Sequence, residues 1–240
     1  MSHGAFGRLD AVRLWRDLAD APVNYSVGEV RRPAWTIDTH RAALPAERPG
    51  PPQPGGCWER ACSLVRDYEF SPPEIVRALY DPAAPLLGRD MLLQGRFHGM
   101  HFYCGVRVTE VVDEVRDNGD RVWGWAYQTL QGHLERGKVT YEVVKRQSTG
   151  EVAFVVSSHA QGAPTLDRFT FLGWRLFGRR TQLRFYRRCR QRLRDFVEAA
   201  LRGDPRPPGP AERLGPLVWA PSDARTHRRD ALAIRRIAPG

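Results

Sequence analysis

Trp123, Trp125, Tyr127 and Thr129 alternate with Gly124, Ala126, Gln128 and Leu130. Strand side chains point to opposite faces with period two, so this stretch predicts a strand with one aromatic face and one small or polar face. Val139, Tyr141 and Val143 repeat the pattern beyond a polar turn bracketed by Gly132 and Gly137. Large aromatics gathered on one face need a partner surface, because each carries ~150–250 Å² of mostly apolar area. The same period begins at residue 90 with Met91, Leu93 and Phe97. After a turn at His98–His101 it continues through Cys104, Val106 and Val108 to the neighbourhood of Glu114. Turn signals at Asp117–Asp120 and Ser148–Gly150 separate the later strands, the last carrying Val152, Phe154, Val156 and Ser158. The expectation is an antiparallel meander with one apolar face.

Helical spacing frames this meander. Leu9, Val12, Trp15 and Leu18 predict a helix over 8–20 that Pro22 ends. Val23–Val30 reads as a strand, and Trp35–His40 as a second. The proline- and glycine-rich run 45–56 suits no regular element and is expected to be a mobile loop. Trp58, Ala61, Cys62, Val65 and Tyr68 predict an amphipathic helix over 57–69. Ser71, Pro72 and Glu74 then read as a capping box opening a short second helix that runs to Tyr80. Residues 160–178 read as a loop. Leu183, Tyr186, Cys189, Leu193, Phe196 and Val197 share one face of a long helix; Arg184, Arg187, Arg188 and Arg194 occupy the other. Gly203 stops it.

Together these elements predict an α+β helix-grip fold, a curved antiparallel sheet wrapped on a long C-terminal helix. The organisation expected is an N-terminal helix (1–22), the helix-grip domain (23–202) and a Pro/Arg-rich extension (203–240). Leu214–Trp219 and Ala231–Ile237 in the extension are short apolar runs able to pack back on the domain. A sheet curled around a helix leaves room for a ligand between them. Trp125, Tyr127, Tyr141 and Phe154 would line that space, with Thr129 and Ser158 as polar points. Tyr103, Tyr127 and Tyr141 would donate hydrogen bonds to a ligand carbonyl, and Tyr25 joins the candidate ligand-binding set. The competing expectation is that these side chains interdigitate and leave no void.

The motifs are more specific than the element order. Asn24–Tyr25 with Gly28, then Trp58–Ala61, then Gly124, Ala126, Tyr127, Thr129, Leu130, Gly132, His133, Glu135 and Gly137, and the arginine-rich last helix, resemble the domain-of-unknown-function 1990 family. The resemblance runs from about residue 23 to 202. Lys138 and Val139 stand where that family usually carries two glutamates, and Gln128 and Gln131 replace a glycine and a proline. The resemblance implies a START-like fold and a ligand pocket, with no settled activity.

Composition narrows the function classes. A chain of 240 residues with 42% hydrophobic residues supports one sizeable core. No run approaches the ~18 apolar residues of a membrane helix, and the first residues form no apolar signal, so a cytoplasmic protein is expected. Cys57, Cys62, Cys104 and Cys189 are scattered and predict reduced thiols. The formal charge is +10 and the pI near 10.1. Lys138 and Lys145 are the lysines and every other cation is arginine, a bias that a GC-rich genome produces without selection for binding. Nucleic acid is therefore the least favoured partner, and a small hydrophobic or aromatic molecule the favoured one. Oligomeric state stays open.

His133 and Glu135 share one tight turn and form the candidate catalytic pair, an imidazole beside a carboxylate. The structural alternative has His133 bonding a strand backbone and Glu135 solvated. His98, His101, His133 and His159 lack ligand spacing, so no metal is expected. Ser157–His159 lacks the glycine flanks of a nucleophile elbow. Without a glycine-rich phosphate motif, no nucleotide cofactor is expected. Three functions follow in order: a cofactor-free biosynthetic cyclase, dehydratase or isomerase; a non-catalytic carrier or sensor; and an anion-binding module using the arginine face of the last helix.

Overall fold

The computed structural model describes residues 10–31, 33–97, 100–162, 179–204, 211–225 and 235–237. Its centre is one sheet whose strands run in the order β1-β7-β6-β5-β4-β3-β2-β9-β8. These are β1 Thr36–Leu44, β2 Val76–Tyr80, β3 Asp90–Phe97, β4 Met100–Val115, β5 Asp120–Thr129, β6 Glu135–Arg146, β7 Val152–Gly162, β8 Arg213–Leu214 and β9 Leu217–Ala220. All of these pairs are antiparallel. β10, Arg235–Ile237, runs parallel to β4 along His101–Tyr103, where β5 no longer reaches. Among the described residues no helix is long and apolar enough to cross a membrane.

Register puts Trp123, Trp125 and Tyr127 of β5 beside Val143, Tyr141 and Val139 of β6, and those beside Phe154, Val156 and Ser158 of β7. Directly paired residues share a face, so the aromatic face predicted from period two exists and is continuous across three strands. A bulge between Val108 and Glu110 bends β4. The inner face is covered by α2 (Cys57–Arg66) and α3 (Arg179–Leu201). Cys189, Leu193 and Val197 of α3 are fully buried against it. α3 ends at Gly203, whose φ of +82° lets Asp204 N–H reach the Ala199 carbonyl at 3.0 Å. The result is the expected α+β, START-like grip of a curved sheet on a C-terminal helix.

The outer face carries a second apolar cluster. α1 (Ala11–Arg16), capped by Asp10, continues as a 3₁₀ turn over Asp17–Asp20. Leu18 packs there with Leu79, Leu92, Leu130 and Trp219.

Four expectations are corrected. Val23–Val30 is not a strand: Val23 makes a single bridge to Leu130, and Ser26 with Glu29 caps a short 3₁₀ turn. The capping box expected at Ser71 does not form either. The Ser71 hydroxyl donates to the Val76 carbonyl at 2.8 Å, and residues 76–80 become β2 because β3 and β9 offer hydrogen-bonding edges on both sides. Tertiary pairing overrides a local helix signal there. The 45–56 loop is pinned instead of mobile. Glu47 accepts the Lys145 ammonium at 2.6 Å and the N–H of Trp58 at 2.8 Å, so it caps α2 from eleven residues upstream. The apolar run Leu214–Trp219 of the extension packs back on the domain through β8 and β9, as its sequence allows. The predicted loop 160–178 begins later than expected, because β7 runs to Gly162; residues 163–178 lie outside the described residues.

Candidate functional site

Asn24, Thr129, Gly132, His133, Glu135 and Gly137 form one piece of architecture at the open end of β5 and β6. Gly132 adopts a φ of +85°, which a side chain would strain, and turns the chain after β5. His133 N–H then bonds the Leu130 carbonyl at 3.1 Å. The imidazole Nδ1 accepts the Glu135 N–H at 2.9 Å, so the ring proton belongs on Nε2. Thr129 Oγ1 donates to Asn24 Oδ1 at 2.6 Å and accepts the Gly137 N–H at 2.9 Å. Asn24 Nδ2 donates to the Glu135 carbonyl at 2.9 Å. A Cβ on Gly137 would sit 2.5 Å from the His159 carbonyl, so this close strand crossing needs glycine. Every bond in the turn fixes the first residue of β6, and that residue is Glu135.

Glu135 shares the inner face with Val139 and Tyr141. Burial pushes its carboxyl up to about 7. Among the described residues no hydrogen bond or ion pair reaches that carboxylate. Its charge is felt by Cys104 of β4, Tyr127 of β5 and Tyr186 of α3. His133, Glu135 and Cys104 lie deep in the fold and yet each keeps partial exposure. Tyr127 and Ser158, both paired with Val139 of β6, are buried on this face, and the Tyr186 hydroxyl donates to Ser158 Oγ at 2.8 Å. His40 of β1 packs against Tyr186 at a tilt, with ring centroids 4.7 Å apart.

The sequence-predicted residues divide sharply. Glu135, His133, Tyr127 and Ser158 come together. His133 does not pair with the Glu135 carboxylate as expected; burial drives its imidazole down to about 4, so near neutral pH it is an uncharged staple of the turn. Thr129 is spent on the same turn. Trp125, Tyr141 and Phe154 are at most 1% exposed and interlock with Tyr68 and Phe70, so the aromatic face is largely packed solid. The Trp125 indole N–H donates to the Val65 carbonyl at 3.0 Å, tying the sheet to the end of α2. Tyr25 and Tyr103 lie on the outer face. Tyr25 bonds His159 Nε2 at 2.7 Å and packs on Trp35, while Tyr103 bonds Gln94. Cys104 and Tyr186 carry no local signal that marks them out, because no sequence motif links residues on separate elements.

An open recess of about 310 Å³ lies elsewhere, between α2 and the β4–β5 hairpin, lined by Trp58, Arg66, Arg121 and Trp123 among others. Among the described residues no three His, Cys, Asp or Glu side chains gather as a metal-ligand set.

Asn24→Ala removes two side-chain hydrogen bonds and strands the Glu135 carbonyl. The expected cost is about 2 kcal/mol in urea unfolding; a loss below about 0.5 kcal/mol would show that the turn holds without it.

The fold and this site define a START-like, helix-grip protein with a carboxyl on its inner face that no described residue pairs. The chain belongs to the DUF1990 family (domain of unknown function), whose model matches residues 22–192. It is similar to a UPF0548 protein of Deinococcus radiodurans, 29% identical over 123 residues, which cover 47% of this chain and 59% of that protein. The chain thus spans less than two-thirds of that relative's length. Among solved structures it is similar to a protein of Thermus thermophilus (15% identity, 69% of this chain and 99% of that one, TM-score 0.45). It is also similar to a Thalictrum norcoclaurine synthase point mutant (12% identity, 68% and 94% covered, TM-score 0.42).

Proposed function

We propose that the recess around Glu135 binds a small hydrophobic or aromatic molecule and that Glu135 moves a proton on it, as in a cofactor-free isomerase, dehydratase or cyclase. The observation that carries this reading is a carboxyl group on the inner face that no hydrogen bond or ion pair reaches among the described residues, and that burial pushes up to about 7. Burying a carboxylate without compensation is costly. A fold that only needed to be stable would put an apolar side chain there. A titrating group matched to working pH is what general acid–base chemistry requires.

The chemistry balances with this chain's own groups. The Glu135 carboxylate takes a proton from the carbon next to a ligand carbonyl. The C–H electron pair moves into the carbon–carbon bond, and the carbonyl oxygen becomes an enolate oxygen. Where the ligand carries a β,γ double bond, the enolate charge extends to the γ carbon, and returning the proton there completes an isomerisation. Alternatively the enolate expels a β-hydroxyl, which takes the proton from Glu135 and leaves as water. Either route restores the carboxylate. Tyr127, pushed up by burial, remains protonated and able to donate, while the Tyr186 proton is committed to Ser158.

Native mass spectrometry of freshly purified protein tests the binding. A co-purifying mass of a few hundred daltons, lost on unfolding, is expected. A carrier would give the same mass, and the Glu135→Gln result described below separates the two.

A further inference from the structure

We infer that the open recess between α2 and the β4–β5 hairpin is a second binding site, built for a small aromatic carboxylate. It lies at the other end of the grip from Glu135: Trp123 pairs with Val143, far along β6 from the turn at which Glu135 begins that strand. The inference is independent of the reading of Glu135.

The recess has a volume of about 310 Å³, at the lower end of small-molecule pockets and enough for one ring with a short polar group. Two elements build it. Glu59 and Arg66 stand on the exposed edge of α2, beside its buried stripe of Trp58, Cys62 and Val65. Arg121 and Trp123 flank Val122 on β5, so they share a face, and Asp113 is paired with Trp123 from β4. The apolar walls are thus two indoles, and each carries a guanidinium. Arg66 lies over the Trp123 ring at 5.2 Å from its centroid, and Arg121 over the Trp58 ring at 5.0 Å.

Indole walls alone would suit a cation. Here two guanidiniums already cover them, so a cationic guest meets like charge. The polar groups left unspent then decide the ligand. Arg121 donates to the Glu114 and Val122 carbonyls at 3.1 and 3.0 Å and pairs with the Asp113 carboxylate. The Glu59 carboxylate accepts the Gly55 N–H at 2.7 Å. It stands about two helical turns from Arg66, about 10 Å along the axis, too far to neutralise it. Arg66 makes no hydrogen bond or ion pair among the described residues, and its contact with Trp123 holds it at the recess. Of the charged side chains lining the recess, Arg66 is the one without a partner among those residues. Trp58 lines the same recess, and its buried indole N–H has no acceptor among the described residues. A cation and an indole donor call for an anionic acceptor. A carboxylate fits the edge of a guanidinium with two parallel hydrogen bonds. An aromatic body behind that carboxylate covers the indole walls.

Benzoate and benzamide test this on the full-length protein, because they share ring and size and differ in charge. Binding is read by ¹H–¹⁵N NMR from the indole N–H signals of Trp58 and Trp123, assigned by their loss in Trp58→Phe and Trp123→Phe. Benzoate is expected to shift both signals saturably at low salt, with an affinity at least about fivefold above that of benzamide. Added salt should narrow the difference, since Arg66 is exposed and its charge is screened. Arg66→Gln should lower benzoate affinity by about fivefold, the scale of one exposed ion pair, and leave benzamide and the melting temperature unchanged. Arg66→Lys keeps the charge without the planar fork and should restore only part of the loss. Equal affinity for the two compounds, or wild-type benzoate binding by Arg66→Gln, overturns the inference. Shifts confined to other indoles, or no saturable shift at all, overturn it too. None of these outcomes touches the Glu135 reading, which is tested by turnover.

Discussion

Glu135→Gln is expected to reduce turnover of any substrate the recess accepts by about 10²–10⁴-fold while leaving its affinity nearly intact. The glutamine keeps the shape and the backbone bonds to His133 and Asn24, and it loses only the proton traffic. A carrier would show unchanged affinity and have no turnover to lose. The pH dependence follows from the carboxyl lying at about 7. As a base it works in its ionised form, so turnover should rise with pH up to about 7 and level off above it. The stability effect has the opposite sign. The folded protein holds this proton more tightly than the unfolded chain, whose carboxyl lies at 4.5. The carboxyl's favourable contribution is complete below pH 4.5 and is lost as pH rises through about 7. At pH 8 the glutamine variant should therefore be more stable, by about 2 kcal/mol after allowing for the group's partial solvent contact. Denaturant titrations at pH 4 and pH 8 measure this. Equal stability of wild type and variant at both pH values, with turnover preserved, would remove Glu135 from the site.

Lys145→Met should be the most damaging single change to the fold, at about 3–5 kcal/mol. Lys145 and Glu47 are an ion pair with side-chain exposures of 0% and 2%. The ammonium also donates to the Pro51 carbonyl at 2.8 Å, and Glu47 also accepts the N–H groups of Trp58 and Gln53. Removing the lysine leaves a buried carboxylate that caps α2 and closes the 45–56 loop. For a chain of this size the loss corresponds to a melting temperature lower by roughly 10 °C. Burial raises the Glu47 carboxyl, but the bonds from Lys145, Trp58 and Gln53 outweigh it, and the net shift is downward. This stabilisation is present above pH 4.5 and fades as the solution is acidified through the lower folded value. Glu47→Gln should cost less than Lys145→Met, and the two together less than their sum, because they break the same interaction. A Lys145→Met protein within about 1 kcal/mol of wild type would show that the pair only balances its own desolvation.

Both residues illustrate how unevenly the sequence speaks. Period two over Trp123–Thr129 and Val139–Val143, and the helical spacing over Leu183–Leu201, predict the sheet, its apolar face and the helix that covers it. These signals are legible because burial of a face repeats with the geometry of the element. The His133–Glu135 turn is legible as chemistry because its residue types are local. Its function inside the fold is not. Whether His133 pairs with the carboxylate or with the N–H two residues on depends on a rotation that spacing does not encode. Ser71–Glu74 shows the reverse failure, a strong local helix signal overruled by strand edges that come from Asp90–Phe97 and Leu217–Ala220.

By itself the sequence determined which segments alternate, where they turn, and that a carboxyl and an imidazole sit together after β5. Only the tertiary structure decided that Trp125, Tyr141 and Phe154 lock solid against Tyr68 and Phe70, that Tyr25 and Tyr103 lie on the outer face, and that Glu135 stands near Cys104, Tyr127 and Tyr186 with no partner among the described residues. The physical reason is that alternation and helical period are properties of a chain with its neighbours, whereas burial, desolvation and a missing partner are set by groups brought together from distant positions.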